Sequence, residues 1–272
     1  MPFMGWLVSR IPAQKIEERK MTAGQWIIAF LMCYGLMYAG NLIGTALTFG
    51  IGMVKGTGVD NPLVSTVMQL NPWVTFVIAV LIAPTAEELL FRKLLTERIV
   101  KYGELTAVLA SGLFFGLFHG NLNQFSYAFL LGLFLGFIYV KTGKLRYTIG
   151  LHMAINFIGS SLGTWMLRVT GYMDTMETLT EFLNTKNLEV LADLGNGIVG
   201  MFIFGSYASL ILMMAGAGLI LMWLNRKKFV CCAPEEKVAS LGKKKAAVMI
   251  GNPGILLYGA FWIGIMIWQL LQ

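Results

Sequence analysis

Six long blocks of this chain contain no Asp, Glu, Lys or Arg, and nothing constrains its folding more. They run Met21–Val54, Pro62–Ala86, Leu105–Val140, Tyr147–Leu167, Leu194–Asn225 and Ala246–Gln272. A membrane span takes roughly 20 apolar residues, so most blocks fit one span each. The block Leu105–Val140 fits two, divided at the turn-forming run Gly120-Asn121-Leu122-Asn123. The pattern predicts an all-α fold: a polytopic transmembrane helical bundle of about seven spans, near 24–49, 72–92, 105–121, 124–141, 147–167, 196–224 and 247–271. Composition agrees: 57% of residues are apolar and 13% charged, where a soluble domain carries about 25% charge. Mean hydropathy is +0.69. The first apolar run lies behind the polar residues 1–20 and is too long for a signal peptide, so it reads as a retained anchor.

The net charge of +7 invites a nucleic-acid reading, which its distribution argues against. Basic residues collect in alternate loops: Arg10–Lys20, Arg92–Lys101, Lys141–Arg146 and Arg226–Lys245 hold 18 of the 21. Only Lys55, Arg168 and Lys186 fall in the other set, and the loop after the fifth span carries Asp174, Glu177, Glu181, Glu189 and Asp193. By the positive-inside rule the N-terminus is cytoplasmic and the C-terminus external. The expected setting is therefore an integral, multi-pass membrane protein, in the plasma membrane if the host is a prokaryote. The partner that this distribution implies is membrane lipid, with no nucleic acid.

No internal repeat or soluble domain is visible. Residues 1–20 mix Trp6, Leu7, Ile11 and Ile16 with basic residues, which fits an interfacial helix and equally a frayed basic tail. Residues 21–272 read as a single transmembrane helical domain with a catalytic core at about 72–160. Cys33 reads as packing, and Cys231 and Cys232 as free thiols at a membrane edge.

Ionisable groups inside spans cost several kcal/mol and are candidates for function. Here they are few: Glu87 and Glu88 near the end of the second span, His119 at the end of the third, and His152 in the fifth. His119 and His152 are the chain's two histidines. Glu88 and Arg92 are four residues apart and share a helix face, so they can pair. Glu87 lies about 100° round the helix and points elsewhere. His152 and Asn156 share a face, as do Phe115 and His119, whose ring the phenyl can support. Pro84 loosens the helix before Glu87, and freed backbone groups are tolerated only beside a cavity. Taken singly, each histidine could be no more than a helix-bridging hydrogen bond, and Glu88–Arg92 reads best as a structural pair. The glycines Gly112, Gly116, Gly132 and Gly136 suggest close helix contacts. If the charge-dense stretch 92–104 protrudes into the cytoplasm, Glu87, His119 and His152 converge about 10 Å below that membrane face.

The residues Glu87-Glu88-Leu89-Leu90-Phe91-Arg92 read as EExxxR, Phe115 to His119 as FxxxH, and His152 to Asn156 as HxxxN. In this order, on successive membrane helices, they resemble the three motifs of the CPBP intramembrane proteases. That family includes the type II CAAX prenyl endopeptidases and the bacteriocin-processing Abi proteins. The resemblance implies peptide-bond hydrolysis within the membrane, with a peptide or protein as substrate. It implies that Glu87 and His119 activate a water, that His152 and Asn156 stabilise the oxyanion, and that Glu88, Arg92 and Phe115 support the site. It favours a glutamate mechanism with no cofactor. A zinc site made by Glu87, His119 and His152 is the rival, since two His and one Glu match a catalytic zinc set. From other classes, a proton-coupled transporter using the same residues as a relay, and a non-catalytic membrane scaffold, also remain.

Overall fold

The computed structural model describes residues 12–59, 69–188, 194, 197–234 and 251–271. They form a helical bundle. The helices are α1 (Ala23–Lys55), α2 (Pro72–Tyr102), α3 (Glu104–Phe118), α4 (Leu122–Thr142), α5 (145–169), α6 (Tyr172–Thr185), α7 (Gly197–Asn225) and α8 (Pro253–Leu271). Local chemistry sets several of the ends. At the start of α1 the Thr22 hydroxyl accepts the Gln25 N–H at 3.2 Å, and the Gln25 side chain accepts the Thr22 N–H at 2.9 Å. This reciprocal cap satisfies two donors that have no intrahelical partner. Asn121 caps α4 by accepting the Gln124 N–H at 3.1 Å. Gly143, at φ +61°, ends that helix in the left-handed conformation glycine adopts without strain.

Five helices, α1, α2, α4, α7 and α8, are long and apolar enough to cross a membrane. Two further helices bring the crossings to the seven expected. α3 is shorter, at 15 residues, and α5 carries His152, Asn156, Ser160 and Ser161 along its length. These two most polar or shortest crossings are also two of the three that build the acid–histidine cluster. Their polar groups are tolerated because they face other helices.

The loops sort onto two faces. On one, the Gln14 N–H donates to the Glu97 carbonyl at 2.7 Å, the Arg19 N–H to the Thr142 carbonyl at 2.8 Å, and the Cys232 N–H to the Glu104 carboxylate at 2.6 Å. On the other, Asn123 donates to Thr45, Arg168 to the Leu70 carbonyl, and Lys55 to the Leu270 carbonyl. The chain therefore alternates up and down, with residues 12–20 at one face and Leu271 at the other. Of the stretch 1–20, residues 12–20 run without helix and lie along the ends of α2 and α4; residues 1–11 lie outside the described residues.

The helices meet through small residues. A Cβ on Gly132 of α4 would stand 3.0 Å from the Cα of Gly112 on α3, and one on Gly136 would stand 3.3 Å from Ser111. The glycine faces noted in the sequence thus form the α3–α4 contact. Between α1 and α7, a Cβ on Gly35 would come within 2.7 Å of the Leu219 nitrogen. Small residues let membrane helices approach closely enough for dispersion to hold them, where lipid removes the hydrophobic drive to associate. The outward faces stay apolar: Phe202, Met213 and Trp223 on α7 and Leu257, Trp268 and Leu271 on α8 are exposed. Such a belt suits lipid and would aggregate in water.

Gly218 is the sharpest test of this packing, because its Cβ would run into the Leu31 carbonyl. Gly218→Val should cost about 1–3 kcal/mol by forcing α1 from α7. The loss should appear as a lower unfolding temperature in detergent, and an unchanged temperature would contradict the contact.

Candidate active site

Three helix stripes of i, i+4, i+8 residues face one another. α2 contributes Glu88, Arg92 and Thr96; α3 contributes Ser111, Phe115 and His119; α5 contributes Thr148, His152 and Asn156. Residues four apart stack on one helix face, so each helix presents three groups in a column. Glu88, Arg92, Thr96, Ser111 and Thr148 are fully buried.

The centre of the cluster is the ion pair Arg92–Glu88, with Nε and Oε2 at 2.9 Å. The N–H does not aim squarely at the oxygen, so neither atom counts as satisfied by a hydrogen bond. The attraction is chiefly ionic. Arg92 Nη1 donates to the Ser111 hydroxyl at 2.9 Å, and the Phe115 ring lies under the guanidinium at 5.0 Å. Glu88 Oε1 accepts His152 Nδ1–H at 3.1 Å, and the Thr148 hydroxyl donates to the Leu145 carbonyl at 3.1 Å. A fully buried Glu88 with an Arg and a His on either side is a carboxylate whose whole capacity goes to holding neighbours.

Glu87 differs. Its carboxylate is 17% exposed and stands 3.7 Å from His152 Nε2. It has no arginine of its own, so it is the one acid of the pair that a water or substrate can reach. His119 is positioned by its own helix: Nδ1 lies 2.9 Å from the Phe115 carbonyl. A carbonyl only accepts, so Nδ1 carries the proton and Nε2 keeps its lone pair. The Phe115 ring meets His119 edge-on at 5.0 Å and His152 at 5.5 Å, so one phenyl separates and fixes the two imidazoles. No hydrogen bond or ion pair joins His119 to Glu87 directly.

Irregular backbone surrounds these residues. The segments Phe76–Ile82, Leu89–Thr96 and Phe157–Leu162 are π-helical, a geometry that gathers at functional sites. Pro84 explains part of it. The Ala83 N–H reaches back to the Ile78 carbonyl, and residue 84, as proline, has no N–H to offer. The Ala79 carbonyl therefore lacks a helical donor, and Asn156 Nδ2 supplies one at 2.8 Å. Asn156 thus ties α5 to the loosened turn of α2, with one amide N–H remaining.

The charges of the stretch 92–104 have partners. Arg92 is fully buried, and Glu97 is buried because it accepts the Tyr139 hydroxyl at 2.8 Å and Lys93 Nζ at 2.7 Å. Glu104 pairs with Lys141. These charges are held by partners on their own helix and on neighbouring ones. The sequence reading also missed Ser111 and Thr148. Their signal was present, since each sits four residues before a motif residue on the same face.

Among the described residues, no group of three or more His, Cys, Asp or Glu side chains is arranged to hold one metal ion. Of the rival zinc set Glu87, His119 and His152, His152 turns Nε2 toward Glu87 at 3.7 Å and Nδ1 to Glu88, and His119 makes no direct bond to Glu87. A cavity of about 730 Å³ lies at the other end of α5, beside Arg168, Thr170, Asp174 and Thr175, and contains none of the cluster.

Fold and site together define a membrane-embedded helical protein with a buried acid–histidine centre. Residues 69–158, about a third of the chain, match the family described as Rce1-like, type II CAAX prenyl endopeptidase. All three motifs lie inside the matched segment. No curated protein and no solved structure gives a significant match.

The Asn156–Ala79 contact makes a specific prediction. Asn156→Ala should cost about 1–3 kcal/mol by orphaning the carbonyl. In a Pro84→Ala background residue 84 regains an N–H for that carbonyl, so the same substitution should cost less than half as much. Equal losses in both backgrounds, measured by unfolding in detergent, would refute the link between Pro84 and Asn156.

Proposed function

We propose that this protein is an intramembrane endopeptidase that hydrolyses a peptide bond of a membrane-associated peptide or protein near the cytoplasmic face. The single observation that carries the reading is the contrast within the acid pair. Glu88 is consumed by Arg92 and His152, while Glu87, partly exposed and without an arginine, stands beside His152. The match of residues 69–158 to an endopeptidase family supports the same reaction class.

In this mechanism Glu87 takes a proton from water as the oxygen attacks the substrate carbonyl, which becomes a tetrahedral oxyanion. His119 accepts a hydrogen bond from the same water at Nε2 and orients it. The proton on Glu87 then passes to the leaving nitrogen as the C–N bond breaks, giving a new carboxylate and a new amine. His152 assists when it carries protons on both nitrogens. Nδ1–H stays on Glu88, and Nε2–H faces Glu87 and the developing negative charge. In that form two carboxylates are balanced by Arg92 and one imidazolium. The free N–H of Asn156 is the second donor. Fixed donors in a site of low dielectric stabilise an oxyanion more than water does.

Access from the cytoplasmic side follows from chain geometry. His152 lies seven residues, about 10 Å, past Leu145 at the start of α5, where Lys144 and Arg146 mark the cytoplasmic end by charge. With the N-terminus cytoplasmic and the C-terminus external, a substrate tail or a short lipid-anchored peptide in that leaflet reaches Glu87 first. A prenylated C-terminal tail is such a substrate in a host that prenylates proteins; a peptide precursor or membrane-protein tail fills the role elsewhere.

Peptides that accumulate in membranes carrying Glu87→Gln identify the substrate, and purified protein in proteoliposomes then tests the residues. Glu87→Gln, His119→Ala and His152→Ala should each lower kcat by about 10²–10⁴ while the protein stays folded. Activity should persist with 1,10-phenanthroline. A Glu87→Gln protein above a tenth of the wild-type rate would sink the base assignment. Loss of activity with chelator and recovery with zinc would make the same side chains ligands.

A further inference from the structure

A residue outside all three motifs faces this site. Tyr127 lies on α4, where its backbone packs against Gly40 of α1. Its half-buried ring joins the cluster of Phe91, Phe115 and Ala128. The ring stands 6.4 Å from that of His119 at 69°, and the phenol is within electrostatic reach of the Glu87 carboxylate. Its hydroxyl has no hydrogen-bond partner among the described residues, which is unusual for a tyrosine enclosed by protein.

An inventory of donors shows what that hydroxyl can do. Glu87 is an acceptor, and His119 presents an accepting Nε2. Arg92 is turned to Ser111 and Glu88, His152 Nδ1–H to Glu88, and one Asn156 N–H to Ala79. The two donors already proposed for the oxyanion, His152 Nε2–H and the second Asn156 N–H, both come from α5, so the side bounded by Glu87 and His119 has two acceptors and no donor of its own. Hydrolysis needs a donor where the carbonyl oxygen gains charge, and phenols serve in that role.

We infer that Tyr127 is a catalytic residue whose hydroxyl donates a hydrogen bond to the oxyanion formed between Glu87 and His119. The inference rests on the peptidase reading. A donor aimed at the oxyanion acts only in the transition state, so it should affect kcat and leave KM nearly unchanged. Its unpartnered hydroxyl should contribute little to stability.

The test compares wild type, Tyr127→Phe and Glu87→Gln in proteoliposomes, with a peptide that accumulates in membranes of Glu87→Gln cells as substrate. Tyr127→Phe keeps the ring against His119 and removes only the donor. It should lower kcat about 10- to 100-fold, with KM within about twofold and the unfolding temperature within a degree or two. A lowered unfolding temperature with unchanged kcat would make Tyr127 a packing residue and overturn the inference. Wild-type kcat in Tyr127→Phe alongside a silent Glu87→Gln would overturn it while the peptidase reading stands. Full activity in both variants, or no peptide accumulating at all, would remove the peptidase reading and this inference with it.

Discussion

The ion pair between Glu88 and Arg92 is the contact on which the rest of the site depends. Both side chains are fully buried at 2.9 Å, and removing two charges from water costs several kcal/mol per ion. That cost is offset only when the remaining valences are used. Here Ser111 and Phe115 of α3 take the guanidinium, while His152 of α5 takes the carboxylate. One pair on α2 thereby fixes the positions of both neighbouring helices. His152 in turn stands 3.7 Å from Glu87, so the buried pair sets the geometry of the acid that remains accessible. Two adjacent glutamates on one helix thus differ: one organises the cluster and the other stays accessible.

Backbone irregularity is the second constraint. Pro84 removes a donor from α2, the neighbouring turns widen, and the Ala79 carbonyl is left to Asn156. A membrane interior tolerates such a gap only where another group fills it. The side chain to which the proposed mechanism gives an oxyanion role therefore also repairs the helix. Loss of activity in an Asn156 variant will mix both effects unless the proline is changed with it.

Much of this was legible in the sequence. Uncharged blocks gave the crossings, because hydrocarbon excludes charge over a fixed thickness. The spacing of Glu88 and Arg92 gave their pairing, because four residues bring side chains onto one helix face. The motif residues gave a resemblance, and the segment that holds them, residues 69–158, matches the Rce1-like family. Other features were not legible. The burial of Glu97 and the Ser111 contact of Arg92 were hidden because a sequence does not show that Tyr139 and Ser111 await them across helix boundaries. Ser111 and Thr148 were hidden among ordinary polar residues, although their spacing from Phe115 and His152 could have exposed them. Tyr127 sits in the aromatic run Phe125–Phe129 and carried no signal; only the packing of α4 against α3 brings it to His119.

The account stands or falls on whether Glu88 and Arg92 act as one unit that holds His152. A double-mutant cycle with Glu88→Gln and Arg92→Met, read by unfolding in detergent, measures this directly. Each single substitution strands a buried charge, so each should cost about 3–5 kcal/mol. The double variant strands neither, and it should be clearly more stable than the sum of the single losses allows, with a coupling of about 2 kcal/mol or more. Additive losses would show that the two side chains do not depend on each other, and the site would need a different organising contact.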